Sequence, residues 1–203
     1  NFEFRSIRLD YPIYNDFQWY TGTVMQFQKE LLKRHELVLF TEPDEVVYHQ
    51  RGLGKYMDDF ALDCVHTLGY ELHHAPDEEP SLDFSKPILG QRKYWYRQDG
   101  FSKPLLGRVP IEWNVAGFHT ASNCSIQDPE LLLIHLRKMD YTLAYQKNQR
   151  VAQYKWSNEA VQNGWGWHNK ALDERFIEWY YTDSLCGGTI ETIPEVLRKH
   201  PPV

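Results

Sequence analysis

Apolar positions along the chain fall into two spacings, and each predicts a different element. Over residues 16–34, Phe17, Tyr20, Val24, Phe27 and Leu31 recur at three- and four-residue steps, while Lys29, Glu30 and Lys33 fall outside that stripe. This is the signature of an amphipathic helix. Residues 37–40 form a short apolar run that reads as a buried strand, and it ends in Thr41-Glu42-Pro43-Asp44-Glu45. Met57, Phe60, Ala61, Cys64, Val65 and Leu68 return to helical spacing and predict a second helix, with Gly69 as its stop. Residues 70–74 then read as a strand. Residues 75–86, with Pro76, Pro80 and several acids, read as a surface loop. Strands are expected again at 92–97, 105–113 and 131–136, and helices over 141–154 and 173–181. Alternation over residues 2–9 predicts an opening strand. Alternating helices and strands followed by denser strands indicate an α/β domain with a mixed sheet.

Composition narrows the function classes. With 203 residues the chain suits one domain, and we expect a single unit over residues 1–203. A formal net charge of −6, with no basic run, argues against nucleic acid as a partner. No apolar stretch approaches the length of a membrane span, so none is expected in this chain. Cys64, Cys124 and Cys186 are odd in number and far apart, without the close pairs of a disulfide scaffold or a zinc ribbon. This spacing favours a reducing, cytoplasmic setting. The 7 Trp, 13 Tyr and 10 Phe make the chain rich in rings, most expected to pack the core and some to line a surface, where rings are platforms for sugars and bases.

The candidate chemistry begins at the acids that close the first predicted strand. Glu42 and Asp44 stand two residues apart, which on extended backbone turns both to one side. Two hard oxygen donors suit Mg²⁺ or Mn²⁺, whereas the plainer alternative is a solvated turn built around Pro43. His119 follows Gly117, a residue that permits close backbone approach, and is a candidate third ligand. His135 lies inside an apolar run and reads as a core histidine, and Asp140 is placed to cap the next helix. His73 and His74 are adjacent and face opposite ways on a strand.

The order of these segments resembles the later part of family 2-like glycosyltransferases of the GT-A type. The resemblance is carried by Glu42-Pro43-Asp44-Glu45 in the place of an Asp-x-Asp-Glu motif, Gly69-Tyr70, Gln91-Arg92-Lys93-Tyr94-Trp95 and Lys103-Pro104-Leu105-Leu106. It continues through Gly117-Phe118-His119 and residues 133–140, with an echo at 190–194. It implies a single GT-A-like domain whose central sheet is mixed, mainly parallel and flanked by helices. It also implies a transferase that moves a sugar from a nucleotide-sugar donor to a glycan or other hydroxyl-bearing acceptor.

On that resemblance Glu42, Asp44 and His119 are the expected ligands of Mn²⁺ or Mg²⁺, set against the donor diphosphate. Arg92 and Lys103 are expected donor contacts, Trp95 and Trp113 stacking platforms, and Asp140 or Glu112 the base for the acceptor hydroxyl. The chain departs from the family at Glu42, where Asp is usual, and in the short stretch before the motif. The nucleotide subsite is therefore expected to be abbreviated or to lie partly outside this chain. The competing expectations are a non-catalytic carbohydrate- or nucleotide-binding module, and a hydrolase using Asp44 with a second acid.

Overall fold

A computed structural model of the chain describes residues 16–114, 118–182 and 188–199. The strand expected at residues 2–9, Gly117 and Cys186 lie outside the described residues. In chain order the elements are α1 (Phe17–Leu32), β1 (Val38–Leu39), β2 (Glu45–His49), α2 (Leu53–Asp58) and β3 (Cys64–His73). There follow β4 (Tyr94–Arg97), β5 (Pro104–Gly107), β6 (Gln127–Lys138), α3 (Tyr141–Val151), α4 (Asn158–Gln162), α5 (Asp173–Tyr181), β7 (Ile190–Thr192) and α6 (Glu195–Lys199).

The seven strands form one mixed sheet around β3. Along one edge β3 pairs first with β5 and then with β4, both antiparallel. Along the other it runs parallel to β6, which in turn pairs antiparallel with β2. With β1 on β5 and β7 on β4 also antiparallel, β3 with β6 is the one parallel pair among the described residues. The expectation of a mainly parallel sheet is therefore corrected. β4 returns along β3 after residues 74–93 and β5 after residues 98–103, both running against it, and β6 alone of its partners runs with it.

The second helix expected from Met57 to Leu68 is also corrected. Only Leu53–Asp58 is helical, and Cys64 to Leu68 belong to β3. Every residue of β3 is buried except half-buried His66 and Tyr70. Its apolar residues Cys64, Val65 and Leu68 continue the three- and four-residue steps of Met57, Phe60 and Ala61, although His66, Thr67, Glu71 and His73 set polar groups within the strand. Gly69 does not stop a helix. A Cβ there would stand 2.5 Å from Ser102 N and closer still to the Phe101 carbonyl, so glycine is required by close approach.

The core occupies both faces of the sheet. Val47, Val65, Leu105, Leu131 and Leu133 pack with Tyr56 and Phe60 on one face, and Leu72, Trp95 and Ile134 with Leu89, Ile193 and Leu197 on the other. Cys64 and Cys124 are joined as a disulfide, with Cα atoms 5.6 Å apart. Their spacing of 60 residues offered no hint of a pair. They meet because Cys64 opens β3 and Cys124 precedes β6, which lies alongside it. The pairing removes the reason for expecting a reducing compartment. Among the described residues no helix is long and apolar enough to cross a membrane.

Candidate functional site

Glu42 and Asp44 occupy a turn between β1 and β2 rather than the end of a strand, and Glu45 opens β2. Glu45 N–H donates to the Glu42 carbonyl at 3.1 Å, and Glu42 N–H donates to Glu45 Oε2 at 2.9 Å. Pro43 sits at the second position of this four-residue turn, where its fixed φ is already suited. The Asp44 carbonyl accepts from Leu136 N–H at 2.8 Å, which ties the turn to β6.

The strand register then gathers ionisable groups beside this turn. Glu45 of β2 and Glu71 of β3 both stand opposite His135 of β6, so the three form a polar row across three strands. His135 Nδ1 lies 2.7 Å from Glu71 Oε2, and Glu71 Oε1 accepts from the Lys138 backbone N–H at 3.0 Å. The other ring nitrogen of His135 faces Asp44 Oδ2 at 3.8 Å. Phe101 stacks on the imidazole with centroids 4.7 Å apart. Burial alone would disfavour the imidazolium, but Glu71 and Asp44 outweigh it and raise the His135 pKa.

Two lysines hold the acids. Lys103, ahead of β5, donates to Glu42 Oε2 at 2.6 Å and to Glu45 Oε1 at 2.5 Å, with a side chain only 3% exposed. Its burial would lower its pKa, and the two carboxylates raise it instead. Lys147 of α3 donates to Asp44 Oδ2 at 2.9 Å. Burial would push the Asp44 carboxyl upward, yet His135, Lys147 and Arg137 bring it down to about 2. Tyr20 of α1 closes the group from above. Its pKa is raised to about 12 by burial and then by Glu42, Glu45 and Asp44.

His119 enters from the segment after Trp113. The preceding Phe118 holds φ at 61°, a rare conformation for a bulky residue, while fully buried among Tyr20, Phe40 and Trp113. Burial, then Lys103 and His135, lower the His119 pKa to about 4, so the ring is neutral at pH 7. Its Nδ1 is buried without a hydrogen-bond partner. A neutral imidazole with an unpartnered nitrogen has the chemistry of a metal ligand. Among the described residues no three His, Cys, Asp or Glu side chains converge closely enough to enclose an ion as they stand. The donor types of Glu42, Asp44 and His119 suit Mn²⁺ or Mg²⁺, but each carboxylate already holds a lysine, Glu42 through Oε2 and Asp44 through Oδ2.

The structure joins Glu42 to Lys103, sets Asp44 on the same turn, and places His119 within electrostatic reach of Lys103 and His135, while the other expected site residues lie outside this neighbourhood. Asp140 is 3% exposed, and both its oxygens are taken. Oδ1 accepts from Leu143 N–H at 3.1 Å as the cap of α3, and Oδ2 accepts from Leu82 N–H and faces Arg92 Nη2 at 3.4 Å. Asp140, expected as a base, and Arg92, expected as a donor contact, are thus paired with each other, and Arg92 is fully buried and also donates to the Met139, Pro80 and Gln91 carbonyls. Glu112 is exposed and accepts from Ser122 Oγ, not from a member of the cluster. Trp95 is buried against Tyr70, with centroids 4.1 Å apart. Trp113 is buried too, donates to the Pro104 carbonyl, and borders an apolar hollow of about 300 Å³ with Phe17, Thr21 and Met25. Both rings are largely buried, and Trp113 also lines that hollow.

Sequence reasoning missed Lys147, Glu71 and the pairing of His135 with Glu71 and Asp44. The available signal was an ionisable residue inside each of two apolar strands. Their pairing follows only from register. No known family model, curated protein or solved structure matches the chain, so the reading of this cluster rests on its own residues.

Proposed function

We propose that the chain is a glycosyltransferase that moves a sugar from a nucleotide-sugar donor to a hydroxyl-bearing acceptor, using Mn²⁺ or Mg²⁺ at the acidic turn. The observation that supports the reading is that Glu42 and Asp44 stand on one turn, while the neutral imidazole of His119, whose Nδ1 has no hydrogen-bond partner, lies within electrostatic reach of Lys103, the lysine that holds Glu42. Asp44 is the principal ligand, His119 the nitrogen ligand and Glu42 the outer carboxylate. When bound, the cation supplies positive charge against the diphosphate leaving group. Lys103 fixes the orientation of the turn by holding Glu42 and Glu45 together. His135, braced by Glu71, adds a further positive group beside Asp44. An acidic chain thus gains local positive charge where an anionic donor needs it.

The test is calorimetric titration of nucleotide sugars with and without Mn²⁺, together with release of the free nucleotide in the presence of acceptor glycans. Asp44→Ala is expected to abolish Mn²⁺-dependent donor binding. His119→Ala is expected to weaken it by about tenfold to a hundredfold, as loss of one ligand contact does. Unchanged affinity in both variants would remove the site. A second reading, a non-catalytic nucleotide- or carbohydrate-binding module, is favoured by one observation, that Lys103 and Lys147 already neutralise the acids. Binding of donor with neither hydrolysis nor transfer would select it.

A further inference from the structure

Residues 108–126 join β5 to β6 and carry Phe118 and His119, and among the described residues they hold no regular strand. Their hydrogen bonds tie the segment mainly to itself. Ser122 N–H donates to the Glu112 carbonyl at 3.0 Å and Asn114 N–H to the Thr120 carbonyl at 2.9 Å, while the Asn123 amide spans Glu112 N–H and the Pro110 carbonyl. The outgoing arm, residues 110–114, reaches α1 and β5 through Ile111 N–H on Gln28 Oε1 and Trp113 Nε1–H on the Pro104 carbonyl. The returning arm, residues 118–124, meets the β3 side of the sheet through the disulfide from Cys124 to Cys64, a 2.9 Å bond between His66 Nε2 and the Cys124 carbonyl, and the contact of His119 with the Gly100 backbone. Phe118 at the head of this arm holds φ at 61°, a conformation that persists only where the surroundings enforce it. The two cysteines pack in one cluster with Ile111, Trp113 and Phe118, just beneath the surface, since Asp63, Asn123 and Ser125 beside them in the chain are exposed.

We propose that the Cys64–Cys124 bond is a redox-sensitive clasp. Oxidised, it holds residues 118–124, and His119 with them, against β3; reduced, it releases that arm while the sheet stays folded. The step is a thiol–disulfide exchange with a dithiol, in which the S–S bond breaks, each Sγ gains one hydrogen, and the dithiol closes into its own disulfide. The sheet does not depend on the bond, because backbone ladders join β3 to β5 from Cys64 onward and to β6 from His66 onward. The arm does depend on it, because the His66 bond and the contact at Gly100 are what remain on that side once the sulfurs part. The clasp is independent of the metal-dependent reading, since it sets where His119 is held and not what it binds.

Peptide mapping without reductant fixes the pairing, and absence of a Cys64–Cys124 link in the oxidised chain overturns the proposal. Amide hydrogen exchange is then compared at one pH among the oxidised full chain, the chain reduced by dithiothreitol, and a double variant, Cys64→Ala with Cys124→Ala. The double variant decides where burial keeps the reductant from the bond. Release is expected to speed exchange across residues 118–124 by about tenfold or more, with the amides of Leu72 and Leu133 unchanged. Carbethoxylation of His119 by diethyl pyrocarbonate is expected to quicken severalfold in the same samples. Unchanged exchange over residues 118–124 in the double variant means that packing alone holds the arm, and overturns the clasp. Equal acceleration throughout β3 and β6, or unfolding of both the reduced chain and the double variant, means that the bond supports the whole sheet, and overturns it as well.

Discussion

At Asp140 one side chain does two structural tasks, and both concern what it leaves behind if removed. Its Oδ1 caps α3, the helix that carries Lys147 to Asp44, and its Oδ2 faces the fully buried guanidinium of Arg92. A buried pair is weak evidence of net stabilisation, because dehydrating both charges offsets most of their attraction. Breaking it is a different matter, since Arg92 would lose its paired carboxylate and keep its charge with carbonyl partners and the charge of Glu79. Asp140→Ala is therefore expected to cost about 3–5 kcal/mol, measured as a drop in the urea unfolding free energy. Arg92→Met combined with Asp140→Ala should recover part of that loss. A cost under about 1 kcal/mol for the single variant, the range of exposed ion pairs, would refute this account of the pair.

Among the elements, β3 decides both the fold and the position of the site. Its tight contact with the turn at Asp99–Phe101 runs through Gly69, whose N–H donates to Ser102 Oγ at 3.0 Å. Phe101 at the end of that turn is the ring stacked on His135. Gly69→Ala should cost about 1–3 kcal/mol or more from overpacking, and should also shift Phe101 away from the imidazole. Thermal unfolding together with the His135 ring chemical shift checks both parts, and an unperturbed His135 resonance counts against the second. The same element shows what was legible in advance. Helices α1, α3 and α5 each carry one apolar face, so periodicity located them, whereas β3 is buried on two faces and its pattern imitates a helix. At the site, Glu42, Asp44 and His119 were legible as residue types with the right donor atoms. Lys147, Glu71 and His135 were not, because their meeting depends on β2, β3 and β6 lying side by side and on α3 packing over them.

Over the whole molecule the protonation of buried histidines ties the site to global stability. His73, His119 and His168 lie in different elements, and in each burial comes first among the causes that lower the pKa. Neighbouring cations add to it, Lys138 and His74 at His73, Lys103 and His135 at His119, and chiefly Arg137 and His135 at His168. The resulting values are about 4, about 4 and about 3. The sign follows from linkage. The unfolded chain takes up these protons near pH 6.5, while the folded chain refuses them until pH 4 or below, so their stabilising contribution is full above about pH 6.5 and is lost as pH falls through the folded pKa values. His135, with its raised pKa, acts in the opposite sense. Its contribution is present below about pH 6.5 and is lost only as pH rises through its folded value, so it does not offset the loss in acid. Each depressed histidine changes stability by up to about 1.4 kcal/mol per pH unit within its window, against a total of roughly 5–15 kcal/mol for an ordinary domain. Stability should therefore decline steeply between pH 6 and pH 4, well before Asp44 begins to protonate near 2. Urea midpoints at pH 7, 6, 5 and 4.5 measure the decline. His168→Gln, which removes one of the three protons, should flatten the slope by about a third. A midpoint that holds constant from pH 7 to 4.5 would mean that these histidines are not kept neutral by the fold, and His119 would then lose its standing as a ready nitrogen ligand.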